Sequence, residues 1–189
     1  AIPQVFSNAL TGTIPRVFST ACDPGQRRDL NGVMFCAACS SGQYKGTPTP
    51  AEQNENGADG GCLPCPAGQY QGQLASASCS TCDAGHSCEG EGSAQQNPCL
   101  TGAFQYEVGS ALCKACPAAQ YQDVPAASGC KDCAVGQVAA AGSYACTVCE
   151  PGNVPNTGKT ACDACPSGEA AAFGDSSCAT CKGGFYTTE

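Results

Sequence analysis

The sequence predicts a small disulfide-rich fold, a tandem array of loops of about 17 residues with short β-hairpins, almost no helix and an extended N-terminal segment. Three observations predict it. The 189 residues include 19 cysteines, a density typical of disulfide scaffolds. Most of these cysteines recur every 16 or 17 residues. The 24 glycines and 13 prolines disfavour long helices and long strands alike.

The chain is poor in the side chains that build an ordinary core. Leu, Val, Ile and Phe together number 23, about 12% of the chain, and there is no Trp. Below about 20% a chain struggles to offset its ordering entropy by apolar burial. Another source of stability is therefore required. Disulfides in this number imply an oxidising compartment, the cell exterior or the secretory pathway.

Charge and hydropathy exclude several partners. The net charge is −8, and no basic cluster exceeds the pair Arg27-Arg28, which argues against nucleic acid and anionic membranes. No apolar run approaches the roughly 20 residues that span a bilayer. The chain starts at "AIPQVFSNAL" without Met or a basic n-region, so we expect a mature or cut product.

Repeats organise the chain between residues 22 and 181. Taking the second cysteine of each C-x-x-C pair as a unit start, and adding Cys22 and Cys99, gives starts at Cys22, Cys39, Cys65, Cys82, Cys99, Cys116, Cys133, Cys149, Cys165 and Cys181. Nine of these ten carry Gly three residues on, the exception being Ala119. An aromatic follows five residues after the start at Tyr44, Tyr70, Phe104, Tyr121 and Tyr186. The fixed Gly predicts a tight turn.

Two units depart from the pattern. The unit from Cys39 is nine residues longer and holds "KGTPTPAEQNENGADGG", a polar loop expected to protrude. The unit from Cys82 closes early, at Cys88, and has Gln96 where the period predicts a cysteine.

The stretches "CPAGQYQGQLASASC" (65–79) and "CPAAQYQDVPAASGC" (116–130) resemble ephrin-receptor-like cysteine-rich repeats. These are similar to the first loop of each tumour-necrosis-factor-receptor cysteine-rich domain, and they occur in extracellular and surface proteins of protists and algae. "CDAGHSCEGEGSAQQNPC" (82–99) resembles the short variant that interrupts such arrays. The resemblance covers roughly residues 22–186. It implies an elongated extracellular rod with one disulfide per loop and no catalytic residues.

The resemblance also implies a disulfide pairing, which the sequence alone leaves open. The pairs are Cys22–Cys36, Cys39–Cys62, Cys65–Cys79, Cys82–Cys88, Cys99–Cys113, Cys116–Cys130, Cys133–Cys146, Cys149–Cys162 and Cys165–Cys178. Consecutive pairing lets each loop close as soon as it is made, and a loop of this length contributes roughly 3 kcal/mol in the chain-entropy model. Cys181 is left unpaired or bonds another chain, or the native chain continues and closes residues 181–189 into a further repeat.

Zinc and redox chemistry are the rival interpretations of the cysteines. C-x-x-C pairs at this separation resemble Cys₄ zinc sites. Cys22, Cys88 and Cys99 belong to no such pair, however, and the chain has a single His. Thioredoxin-like chemistry needs a C-x-x-C that opens a helix in a βαβ setting, and no such alternation is visible. Disulfide closure is therefore favoured, with no metal and no cofactor expected.

Three smaller features receive ordinary interpretations. His86 has no second His to share a metal or a relay, so it is expected at the surface. "NENGADG" (54–60) lacks the acidic spacing of an EF-hand and is expected to be an exposed turn. "TPTP" (47–50) is either a bare, stiff turn or a site of O-linked sugar at Thr47 and Thr49; no N-x-[S/T] acceptor is present.

Residues 1–21 contain no cysteine, and "IPQVFS" (2–7) recurs as "IPRVFS" (14–19). The segment concentrates large apolar residues: Ile2, Val5, Phe6, Leu10, Ile14, Val17 and Phe18. Its β-branched and aromatic content suits an extended strand. We expect docking on a neighbouring subunit, docking on its own rod, or a free tail.

Two functions remain in contention. The first is a structural protein of the cell exterior: a surface coat, a matrix protein, a filament or an appendage subunit that assembles with copies of itself. The second is the ligand-binding ectodomain of a cell-surface receptor, with other surface or matrix proteins as partners. The loops are mostly Ala, Gly, Ser and Gln with no visible binding cluster, which favours the first. An enzyme is not expected.

Overall fold

The computed structural model describes residues 22–29, 35–47 and 61–181, and all regular structure within these ranges is β. The strands are Gln26–Asp29 (β1), Phe35–Ala38 (β2), Gln43–Tyr44 (β3), Leu63–Pro64 (β4), Gln69–Tyr70 (β5), Ser80–Thr81 (β6), His86–Ser87 (β7), Asn97–Pro98 (β8), Ala103–Phe104 (β9), Lys114–Ala115 (β10), Gln120–Tyr121 (β11), Lys131–Asp132 (β12), Gln137–Val138 (β13), Thr147–Val148 (β14), Asn153–Pro155 (β15), Cys162–Ala164 (β16), Glu169–Ala170 (β17) and Ala179–Thr180 (β18). Each strand pairs antiparallel with its neighbour in the chain, giving nine two-stranded sheets. The predicted fold class, an elongated disulfide-rich array of hairpins, is confirmed.

The hairpins divide the chain into nine modules, numbered here from the N-terminus by their first cysteine. The modules span 22–38, 39–64, 65–81, 82–98, 99–115, 116–132, 133–148, 149–164 and 165–180. In the third module a turn is closed by the hydrogen bond from Gln69 N to Pro66 O. Gly68 occupies this turn at φ 83°, a conformation that favours glycine. The strands β5 and β6 follow, with Tyr70 opposite Ser80.

Backbone hydrogen bonds join each module to the next, and the same set recurs along the array. Between the fifth and sixth modules they are Gly102 N to Gln122 O at 2.7 Å, Gln105 N to Ala127 O at 3.1 Å, Ala126 N to Cys99 O at 2.8 Å and Cys116 N to Gly102 O at 2.9 Å. The modules therefore form one ladder in which backbone polar groups are satisfied by the neighbouring module.

Six of the nine modules also touch the module after next, as far as the described residues show. A Cβ built on Gly68 of the third module would come closer than 3.0 Å to the carbonyl of Gly109 at the loop tip of the fifth. The same approach recurs at Gly25–Ala75, Gly42–Gly92, Gly85–Ala126, Gly102–Gly142 and Gly136–Gly174. The repeated glycine therefore meets two requirements. It adopts a positive φ, and it lacks the Cβ that would clash with the backbone lying against it.

The one exception to the glycine pattern coincides with a change two modules further on. Ala119 takes the turn position of the sixth module at φ 65°. In the eighth module, the tip residue Lys159 donates its N–H to Asn156 O within its own loop. Loop tips elsewhere donate instead to the first cysteine of the preceding module, as Gly142 does to Cys116. A methyl group at position 119 occupies the space into which a loop tip packs elsewhere.

Cysteine supplies most of the interior. The buried apolar residues among those described are eight half-cystines with Val138, Ala139 and Ala171. No Leu or Phe is among them. As the composition predicts, no single large apolar core exists in the described ranges, and the cystines lie where an ordinary domain has its aliphatic side chains.

Candidate functional site: the cystine array and its surface

Nine disulfides close the nine modules, one in each. The structure joins Cys22–Cys36, Cys39–Cys62, Cys65–Cys79, Cys82–Cys88, Cys99–Cys113, Cys116–Cys130, Cys133–Cys146, Cys149–Cys162 and Cys165–Cys178. These are the same pairs that the family resemblance implied. Their Cα–Cα distances run from 5.5 Å at Cys22–Cys36 to 6.2 Å at Cys82–Cys88, within the range that a disulfide bridges.

A buried glutamine supports the longer loops from inside. In the fifth module Gln105 is only 1% exposed. Its Nε2 donates to Leu112 O at 2.7 Å and its Oε1 accepts from Glu107 N at 3.0 Å. Gln71 of the third module and Gln122 of the sixth repeat both contacts at equivalent positions. Each glutamine satisfies two backbone groups that the loop itself leaves unpaired.

The shorter loops have no such glutamine. In the seventh and ninth modules the position is taken by Ala139 and Ala171, both buried. Their cysteines are 13 residues apart, against 14 in the modules that carry Gln71, Gln105 and Gln122. The sequence analysis did not identify this relation between glutamine and loop length. The sequence nevertheless shows that Gln occurs at this position only where the two cysteines are 14 residues apart.

The fourth module has neither the buried glutamine nor a half-cystine at the usual closing position. Cys88 stands at the glutamine position and is fully buried. Gln96, at the place where the period predicts a cysteine, accepts a hydrogen bond from Asp83 N and donates to Asp83 Oδ2, both at 2.8 Å. A two-point hydrogen bond therefore fixes the hairpin where other modules use their second half-cystine. The sequence identified the departure but not this compensation.

Charged and aromatic side chains meet on the surface of two consecutive modules. In the fifth module Lys114 Nζ lies 4.3 Å from the centre of the Tyr106 ring and 3.3 Å from Glu107 Oε2. Its contact with Tyr106, and then with Glu107, raises the pKa of the Lys114 amine. In the sixth module Lys131 pairs with Asp123. This hydrogen bond lowers the pKa of the Asp123 carboxyl and raises the pKa of the Lys131 amine.

The remaining predicted site residues fall in separate places. Cys181 is half-buried and has no disulfide partner among the described residues. Thr47 is exposed. Thr49, the segment 54–60, residues 182–189 and the seven apolar residues of the N-terminal segment (Ile2, Val5, Phe6, Leu10, Ile14, Val17 and Phe18) lie outside the described residues.

The described ranges contain neither a cluster of metal-ligating side chains nor a membrane-spanning helix. His86 is half-buried, with Nδ1 3.3 Å from Ala84 O, whereas an exposed surface residue was expected. No group of three or more His, Cys, Asp or Glu side chains in 22–29, 35–47 and 61–181 is arranged to hold a metal ion. The same ranges contain no helix with the length and apolar character that a bilayer span requires.

The centre of the array matches a known protein family. Residues 91–133 match the family model described as tyrosine-protein kinase ephrin type A/B receptor-like. This stretch runs from the end of the fourth module through the fifth and sixth to Cys133, and it includes two of the nine cystines in full. No curated protein matches the chain. Together with the tandem disulfides, the match supports a cysteine-rich repeat array, and the likeness to ephrin-receptor-like domains covers residues 91–133.

Proposed function

We propose that this protein is an extracellular structural protein: a subunit of a surface coat, matrix, filament or appendage, stiffened by its disulfides. The observation that carries the proposal is the continuous backbone ladder. The first five modules and the seventh each bond to the next module and pack on the module after next, and the sixth bonds to the seventh. Bending such a rod means breaking contacts with two neighbours at once, which favours a spacer or a fibre element over a hinged scaffold.

Copies of the same chain are the proposed partners, with other surface or matrix proteins and O-linked glycans as further ones. The apolar N-terminal segment supports self-assembly by its composition, and the exposed Thr47 leaves one candidate glycan acceptor open to solvent. Nucleic acid is not a proposed partner because the net charge is −8. No catalytic role is proposed, since the polar side chains inside the array bond to its own backbone.

A ligand-binding receptor ectodomain is the second candidate, and the match of residues 91–133 to a receptor-like family favours it. The fifth module adds a specific observation. Four of its large apolar side chains are exposed: Leu100, Tyr106, Val108 and Leu112. Exposed apolar clusters of this kind mark interaction surfaces.

Electron microscopy of negatively stained protein, with sedimentation velocity at several concentrations, separates the two candidates. A structural subunit gives polymers or long rods whose sedimentation coefficient rises with concentration. An ectodomain gives isolated short rods at every concentration tested. A variant lacking residues 1–19 serves as the comparison. We expect the full chain to assemble and the shortened chain to remain monomeric; assembly by both would remove the N-terminal segment from the proposal.

A further inference from the structure

Charge alternates along the array from module to module. The third and seventh modules contain no Asp, Glu, Lys or Arg, and the fifth contains only the ion pair of Glu107 with Lys114. The fourth, sixth and eighth modules contain three charged residues each. The ninth module has two, Glu169 and Asp175. From the third module onward, odd-numbered modules therefore hold at most two charged residues and even-numbered modules three, whereas the first module departs from this pattern with four.

Exposed apolar side chains follow the same alternation. Of the ten large hydrophobic residues that are exposed in the described part of the chain, eight lie in odd modules: Leu74, Leu100, Tyr106, Val108, Leu112, Val135, Tyr144 and Phe173. The other two, Leu63 and Val124, lie in even modules. The distribution does not follow from loop length, because the third, fifth and sixth modules have loops of equal length.

The loop tips make the contrast sharpest because they can be compared at one equivalent position. In each loop from the third module to the ninth, a residue at positive φ lies at the tip: Ala75, Gly92, Gly109, Ala126, Gly142, Lys159 and Gly174. The residue just before it is Leu74, Val108, Ala141 or Phe173 in odd modules, and Glu91, Pro125 or Gly158 in even ones. All seven are exposed, so the side chain at this position contributes little to the folding of its own module.

The backbone contacts turn this alternation into two rows. The tips that carry Leu74, Val108 and Phe173 lie against the Gly turns of the first, third and seventh modules, all odd. The tips of the fourth and sixth modules lie against the second and fourth. In these Gly contacts odd tips lie on odd modules and even tips on even ones, while the backbone N–H of each tip except Lys159 bonds to the first cysteine of the module directly before it. We call the exposed tips of modules three, five, seven and nine the apolar row.

We propose that the apolar row is the docking surface for residues 2–18 of a second copy of the chain. The inference rests on the proposed function and names the surface through which assembly occurs. Residues 1–21 hold seven large apolar side chains and one charge, Arg16. Copies with a net charge of −8 repel one another across most of their surface. The segment has a net charge of +1 and the apolar row is almost free of charge. Contact between them therefore brings two copies together with the least electrostatic repulsion.

A neighbour fits this segment better than its own rod does. The modules succeed one another in chain order, each bonded to the next and most of them packed on the module after next. The segment enters the array at Cys22, so it must reverse direction to lie along its own odd tips. Continuing away from the first module, it instead meets the next copy in a head-to-tail assembly. Seventeen extended residues reach about 55 Å.

Charge substitutions on the two rows test the proposal in the full-length protein. The variant Leu74→Asp/Val108→Asp/Phe173→Asp adds three carboxylates to the apolar row. The matched control, Gln95→Asp/Val124→Asp/Gly158→Asp, adds three to exposed positions of even modules. Burial of each large apolar side chain is worth about 1.5–3 kcal/mol, and every 1.4 kcal/mol is about tenfold. We expect the critical concentration for assembly to rise at least about tenfold in the first variant and less than about twofold in the control.

A photo-crosslinking phenylalanine analogue in place of Phe18 shows where the segment lies. Mixing isotopically heavy and light protein separates crosslinks between copies from those within one. The proposal requires crosslinks between copies at the tips of the third, fifth, seventh or ninth module. Crosslinks to even modules, crosslinks within one copy, or equal effects of the two charge variants would overturn the apolar row while leaving assembly standing.

Two further measurements distinguish loss of docking from loss of folding in the variants. Thiol titration and the hydrogen-exchange profile must match the parent protein in both variants, which shows that the modules remain folded. If the parent protein does not assemble at any concentration, the proposed structural function fails, and the docking surface fails with it. That result is distinct from assembly that ignores the apolar row.

Discussion

Replacing Gln105 by Ala should open the loop of the fifth module without breaking its disulfide. The substitution removes the hydrogen bonds to Leu112 O and from Glu107 N. Each is worth about 1 kcal/mol net. It also removes one buried methylene, Cγ, worth about 0.8 kcal/mol. Because water can reach part of the vacated space, we expect a local loss of about 2 to 4 kcal/mol.

Hydrogen exchange within residues 99–113 measures this loss, because the array need not unfold as one unit. A loss of 2 kcal/mol or more accelerates exchange by about 30-fold or more. The effect should be confined to the fifth module and the modules that pack on it. Gln73→Ala, the same substitution at an exposed position of the third module, is the matched control and should change exchange by less than about threefold.

Loop length provides a second, independent check on the same reasoning. The seventh and ninth modules manage with Ala139 and Ala171 because they have one residue fewer between this position and the loop tip. Deleting Glu107 in the Gln105→Ala background creates the same arrangement. We expect at least half of the lost protection to return. Exchange that is unchanged in Gln105→Ala, or a deletion that worsens the defect, would refute the link between glutamine and loop length.

Three other predictions follow from the cystines, the glycine turns and the surface ion pairs. A reductant should unfold the array, whereas a zinc chelator should leave its circular dichroism unchanged; a chelator-sensitive fold with most thiols free would contradict disulfide closure. Gly68→Ala should expose the loop of the fifth module to exchange far more than Gly168→Ala exposes any loop, because both residues have positive φ but only the Cβ at position 68 meets another backbone. Lys131→Gln should return the pKa of Asp123 toward its ordinary 3.8, as read by carbon-detected NMR, while Lys114→Gln should not. Since the folded-state pKa of Asp123 is lowered, the small stabilisation from this pair is present above pH 3.8 and lost as the pH falls through the lower folded-state value.

The modules themselves were predictable because their determinants are local. A cysteine followed three residues later by Gly specifies a tight turn within four residues, and this holds at Gly68 and Gly102. The short hairpins are local as well. The strand after each turn pairs with the residues that lead into the first cysteine of the next module. The absence of a large core followed from composition alone.

Contacts between modules could not be predicted in the same way. Gly68 packs against Gly109, which lies 41 positions away in the sequence. The repeat period alone does not predict which module a loop tip contacts. Gln105 looked like one of many polar loop residues until its two backbone partners were visible. Gln96 was noticed only as a missing cysteine, because its compensation with Asp83 depends on the folded hairpin.

Closure of every disulfide within its own module sets how far the protein can lengthen under tension. If pulling separated the sixth module from its neighbours, the chain from Cys116 to Cys130 would still be short-circuited by a bridge of 5.8 Å between Cα atoms. Only the three steps from Cys130 to Cys133 could extend, adding about 10 Å. A reduced module of 17 residues would instead extend to about 58 Å. The oxidised protein can therefore extend to only about 16 Å per module, and reduction allows a length several times greater.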